Sequence, residues 1–337
     1  MTAPRRPVVR FVLGATLGSV ALAGYLAVVG SDAVLARASA IAPWAVAAVA
    51  ALVVAEGLAD AVGVWASIRP LGDGLSGGQS VQFALAGDFF DTLSPAGPVS
   101  SEPIMARFIG VTTDTSYSEA LGVRGVAKYV KSGTQLLVST TLALLLLVGT
   151  PDARVVVTVL GAALVGLLAV GAALLWSRDR LSRALVALLA PVVGFVSARY
   201  REDPHDRSAV AAALDRFWTR IVRFRDRPGL LALIAAGGVL EQFLTAAAIW
   251  LALSGTGTVV PLLPIVALVP LPQAASAVPI PASLGAYDVL LSGGLAIVVG
   301  VPAAATAAPV LVVRALSIPF ALSVGGVAVA FLRGWRL

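Results

Sequence analysis

Ionisable side chains set inside long apolar runs are where this sequence can do chemistry. Glu56 and Asp60 lie four residues apart in the run from Pro43 to Ala66, and therefore on one helix face. Glu241, followed by Gln242, interrupts the run 229–253, and Arg314 interrupts 303–332. Asp288 follows a segment broken by Pro279 and Pro281. One ionised group at mid-bilayer costs about 2.5–3.5 kcal/mol, so these five would cost roughly 12–17 kcal/mol if left alone. They must be paired or hydrated. Two readings follow: structural pairing, for example of Glu56 or Glu241 with Arg314, or the lining of a polar pathway between helices.

A second set begins with Asp88, Asp91 and Glu102, in a stretch that also holds Pro95, Pro98 and Pro103. Beyond Glu102 and Arg107, the residues Arg124, Lys128, Lys131 and Gln135 repeat at four- and three-residue spacing and form one basic ridge. Such a ridge is either a positive-inside anchor or, at headgroup depth, a face for lipid phosphate, the natural partner of guanidinium and ammonium groups.

The elements that position these residues follow from composition. Of 337 residues, 58% are hydrophobic and 12% charged, with a mean hydropathy of +0.94. Such a chain cannot clothe itself in polar groups, which excludes a water-soluble globular protein and predicts an all-α, polytopic helical membrane bundle. Eight spans are expected, at about 11–29, 43–66, 126–149, 154–176, 229–253, 260–278, 284–301 and 303–332. An uncleaved first helix is read over 11–29. Three prolines within nine residues break 81–110, predicting a broken or re-entrant segment in place of one helix. Between spans, 177–227 carries 11 of the 24 Lys and Arg against six acids. Within it, Ala209, Ala213, Leu214, Phe217, Trp218, Ile221 and Val222 oppose Arg216, Arg220, Arg223 and Arg227, an amphipathic helix suited to an anionic leaflet. The stretch 181–197 is apolar too, and its depth is left open. The basic bias places both termini in the cytoplasm.

With no cysteine and a single histidine, His205 in a polar turn, thiolate chemistry and paired-histidine metal sites are excluded. No Walker motif occurs, so the chain is not expected to hydrolyse nucleotide. The net charge of +6 reads as topology and not as nucleic-acid binding.

The two halves echo one another. In Pro95-Ala96-Gly97-Pro98-Val99-Ser100-Ser101-Glu102 an acid follows a proline by seven residues, and Arg124 lies 22 further on. Pro281-Ala282-Ser283-Leu284-Gly285-Ala286-Tyr287-Asp288 repeats the plan, with Arg314 26 further on. Paired broken segments are a pointer to a transporter's binding site. These residues, with Leu93-Ser94 and Arg107, resemble the lysylphosphatidylglycerol synthase transmembrane region, a flippase-like family of integral membrane proteins. The sequence departs from the family where Asp288 replaces a glutamate, Ser283-Leu284 a common glycine pair, and Lys128 a frequent acid.

The resemblance implies binding or translocation of lipids with polar headgroups, without the soluble aminoacyl-transferring domain of some relatives. One transmembrane domain over 1–337 is therefore expected, in the cell membrane, with 177–227 as a basic cytoplasmic connector. The candidate headgroup residues are Glu56, Asp60, Asp88, Asp91, Glu102, Arg107, Arg124, Lys128, Lys131, Glu241, Asp288 and Arg314. The expected partners are membrane lipids, anionic phospholipid or lipid-linked glycan, alongside a homo-oligomer or membrane partner. No cofactor, metal or catalytic group is expected. The alternatives are a membrane enzyme acting on lipid-linked substrates, with Asp88, Asp91 and Glu102 as its acids, and a non-transporting scaffold.

Overall fold

The structure, a computed structural model, describes residues 20, 23–24, 26–94, 98–147, 149, 153–197, 206–272 and 285–334. Most of the first predicted span, His205 and the proline-rich stretch 273–284 lie outside them.

Helices dominate because apolar runs of 20 residues and more can satisfy their backbone only internally when no water is at hand. After a short α1 (Ser31–Ser39), α2 spans Pro43–Ile68, with Pro43 at its first turn where the missing amide is harmless. The region read as broken resolves into two helices, α3 (Gly77–Leu93) and α4 (Pro98–Thr113). Ser76 starts α3 through a capping box with Gln79. At 17 and 16 residues, each is about 25 Å long, short of the roughly 30 Å hydrocarbon core. Pro98 opens α4, and Pro103 lies inside it. So near a helix start a proline forfeits one amide bond without ending the helix.

The long helix α5 (Tyr117–Leu147) begins nine residues before the predicted span because Ser116 and Glu119 cap it reciprocally. Next come α6 (Arg154–Trp176), α7 (Arg178–Ser197), α8 (Arg207–Arg223), α9 (Pro228–Gly255), α10 (Leu262–Leu268), α11 (Ala286–Val299) and α12 (Ala303–Ala330). Among the described residues five helices, α2, α5, α6, α9 and α12, are long and apolar enough to cross a membrane. α10 and α11, with 7 and 14 residues, are shorter than the spans expected at 260–278 and 284–301.

α2 and α9 form the most extensive pair, and α3 wedges between α2 and α12. The close approach has a visible cause: a Cβ on Gly237 would lie 3.2 Å from the backbone nitrogen of Gly63. The amphipathic helix α8 does not lie free. It packs on α5 and α7, and Arg220 turns inward to Glu119 (Nη2–Oε1 2.6 Å) and to the carbonyl of Pro70. On α7 the apolar Leu188, Val192 and Phe195 remain exposed.

Two apolar cores stand at opposite ends of the bundle. One gathers Val49, Val53, Leu136, Ile249, Leu291 and Val310. The other gathers Val64, Phe83, Met105, Val123, Ile234 and Val329. On α2, α5, α9 and α12 the ionisable Glu56, Asp60, Lys131, Glu241 and Arg314 fall between these two sets.

Candidate functional site

A polar waist occupies that gap. Glu56 and Asp60 sit near the middle of α2, Lys131 near the middle of α5, Glu241 near that of α9 and Arg314 near that of α12. Lys131 Nζ donates to Asp60 Oδ1 at 2.7 Å and forms a second ion pair with Glu241. The stem of Lys131 has room because α9 presents glycine there: a Cβ on Gly238 would lie 2.9 Å from Lys131 Cγ. Gln135, one turn on, donates to the carbonyl of Gly238 at 2.9 Å.

The basic ridge of α5 continues toward α3 and α4. Arg124, 5% exposed, grips Glu102 through two bonds of 2.7 Å, Nε to Oε2 and Nη2 to Oε1. This fork-on-carboxylate geometry is the strong form of the ion pair. Lys128 bridges Asp91 (3.1 Å) and Glu102 (3.4 Å), and Asp91 also accepts the Ser101 hydroxyl. The side chain of Lys128 is 29% exposed against 6% for Arg124. It is therefore the more exchangeable cation of the two.

The second half repeats the acid–arginine pairing. Asp288, 2% exposed, accepts the Gly285 amide at 3.0 Å and so caps α11. Its other oxygen faces Arg314 Nε at 3.4 Å, and the guanidinium lies 4.7 Å over the Tyr287 ring. Each arginine of the sequence echo thus pairs with the acid of its own half.

Glu56, Glu241, Gln242, Tyr287 and Arg314 line one cavity of about 240 Å³ between α2, α9, α11 and α12. A smaller space is lined by Asp60, Arg124, Lys128 and Lys131. A larger one, about 700 Å³, lies apart from the waist, between α7 and α8.

The structure gathers eleven of the twelve sequence candidates into the waist and its flank. Arg107 is the exception: its side chain is exposed on α4, turned from Glu102. The suggested pairing of Glu56 or Glu241 with Arg314 is replaced by Glu241–Lys131 and Asp288–Arg314. Sequence reasoning did not single out Thr245, which donates to Glu56 at 3.4 Å, or Ser139, which accepts from Gln242 at 2.8 Å. Both are small hydroxyls one helical turn from a polar residue of the waist, Thr245 from Glu241 and Ser139 from Gln135. Among the described residues no group of three or more His, Cys, Asp or Glu could hold a metal ion.

The profile of the lysylphosphatidylglycerol synthase TM region matches residues 9–325. The chain belongs to that family. It is a multi-pass membrane protein, and the matched range takes in the whole waist, from α2 to Arg314 on α12. No match is found among curated proteins or among solved structures.

Proposed function

We propose that this chain binds polar-headgroup lipids, anionic phospholipids foremost, and passes the headgroup through the charged waist while the acyl chains stay in the bilayer. The observation that carries the reading is the position of Glu56, Glu241 and Arg314 near the midpoints of three long apolar helices, around a cavity, with Lys131 at the midpoint of a fourth and paired to Glu241. Charges at that depth mark substrate pathways. Lys128 can exchange Asp91 for a lipid phosphate, whereas Arg124, locked by Glu102, positions the ridge. The chain works in the cell membrane with both ends cytoplasmic, as its basic connector favours.

The test is transbilayer movement of fluorescent lipids in proteoliposomes, with headgroups varied. Wild type is expected to move at least one headgroup faster than empty liposomes. Lys128→Ala and Asp288→Asn slow it about tenfold, the effect of about 1.4 kcal/mol on a barrier. Arg107→Ala leaves it unchanged. Wild type equal to empty liposomes for every headgroup overturns the reading. The tight Glu102–Arg124 and Asp60–Lys131 pairs favour a second reading, a sealed scaffold whose charges only hold helices together.

A further inference from the structure

The charges of the waist do not balance, and the imbalance is local. Asp91 and Glu102 stand against Lys128 and Arg124, a neutral set. Asp288 stands against Arg314, again neutral. Lys131 alone faces both Asp60 and Glu241. Glu56 lies in electrostatic range of Glu241, Lys131 and Asp60, and Asp88 in range of Asp60, Glu56, Asp91 and Glu241. Lys131 thus pairs with two carboxylates, Asp60 and Glu241, and two more, Glu56 and Asp88, stand close by.

Glu56 and Asp88 have no ion pair among the described residues. The hydrogen bond to Glu56 comes from the Thr245 hydroxyl. The helices around them bring charge to the waist from every side: α2 brings Glu56 and Asp60, α3 Asp88 and Asp91, α4 Glu102, and α5 Arg124, Lys128 and Lys131. From the other side come Glu241 on α9, Tyr287 and Asp288 on α11, and Arg314 on α12, while α10 carries no ionisable residue. At mid-membrane each surplus charge costs about 2.5–3.5 kcal/mol on insertion scales. Among the described residues nothing balances the surplus, which needs further positive charge.

A second observation says in what form. Gln242 is 1% exposed, and its amide nitrogen donates to Ser139 Oγ and the Val266 carbonyl, both at 2.8 Å. That fixes the orientation of the amide and leaves Oε1, buried, without a donor among the described residues. Gln242 lines the same cavity as Glu56 and Glu241. A carboxylate only accepts hydrogen bonds, whereas a carboxylic acid has an O–H to donate.

We propose that Glu56, Asp88 and Glu241 form a proton-binding site, and that protons exchanged there couple headgroup movement to a proton gradient. Each event adds one proton from water to one carboxylate and returns it on release. The coupling rests on the lipid-moving function proposed above; the proton binding does not.

Infrared spectra of the full chain in lipid vesicles test the binding. Wild type at pH 7 is expected to show a carboxylic-acid carbonyl band that disappears in alkaline buffer. Glu56→Gln and Asp88→Asn each remove part of it, and both keep the wild-type unfolding temperature because they replace groups already neutral. Absence of the band in wild type overturns the site without reference to any variant. So does a band untouched by both substitutions, or unfolding temperatures that respond to sodium replacing choline and not to pH. In proteoliposomes, an imposed pH gradient accelerates lipid movement in one direction. Movement indifferent to the gradient, in protein that shows the band, overturns the coupling. A chain that moves no lipid yet shows the band overturns the lipid reading and not the proton site.

Discussion

Lys131 is the residue on which the waist turns, since it separates Asp60 from Glu241. Removing one partner of a buried ion pair costs about 3–5 kcal/mol because it strands the other charge. Lys131→Met is therefore expected to lower the thermal unfolding temperature sharply in detergent. The double variant Lys131→Met/Glu241→Gln should recover part of the loss, since residues in direct contact couple by about 0.5–3 kcal/mol. Additive losses would mean that the two side chains do not meet. That acids lay inside apolar runs was legible from spacing alone, because a charge amid 20 apolar residues has no other reading. Their partners were not legible. Which acid meets Lys131 depends on the rotation of α9 against α5, and Gly238 permits that contact by leaving the lysine stem space. Arg107 shows the same limit, for neighbourhood in sequence placed it beside Glu102 while the turn of α4 points it outward.

At the scale of helices, hydropathy found α2, α6, α9 and α12 to within a few residues, because an unbroken apolar run can be little else. It started α5 nine residues late, because its first turns carry Ser118 and Glu119 in place of an apolar run, although the Ser116–Glu119 caps make them helix. It found α8 as an amphipathic helix but not the contact that holds it. Its arginines look dressed for a lipid surface, but Arg220 is used to dock the helix on α5 through Glu119. The packing of α3 on α12 offers a direct check. A Cβ on Gly325 would lie 2.5 Å from the Leu85 carbonyl oxygen and 2.9 Å from Phe89 Cβ. Gly325→Ala must push the helices apart, and is expected to destabilise by about 1–3 kcal/mol in denaturant titrations. Gly161 on α6 has nothing within 4 Å of its added Cβ, so Gly161→Ala should be neutral or gain about 0.5–1 kcal/mol from helix propensity.

Across the whole molecule, the alternation of apolar core, charged waist and apolar core fits both a hydrated pathway and a sealed scaffold. Both readings contain the same ion pairs, so pairing alone cannot separate them; water can. The sequence has no cysteine, and each introduced thiol is therefore the sole target for a labelling reagent. Thr245 lines the waist cavity beside Glu56. Val165 is 66% exposed on the apolar surface of α6, where lipid rather than water is its neighbour in a membrane-spanning helix. If the waist is wetted during headgroup movement, Thr245→Cys in proteoliposomes reacts with a membrane-impermeant thiol reagent while Val165→Cys stays unlabelled. Added lipid of the transported headgroup class should then slow the Thr245→Cys reaction, because both compete for one space. Equal silence at the two positions would leave the charges sealed between the cores. In that case the ion pairs hold helices together, and the waist is a structural joint with no route for a headgroup.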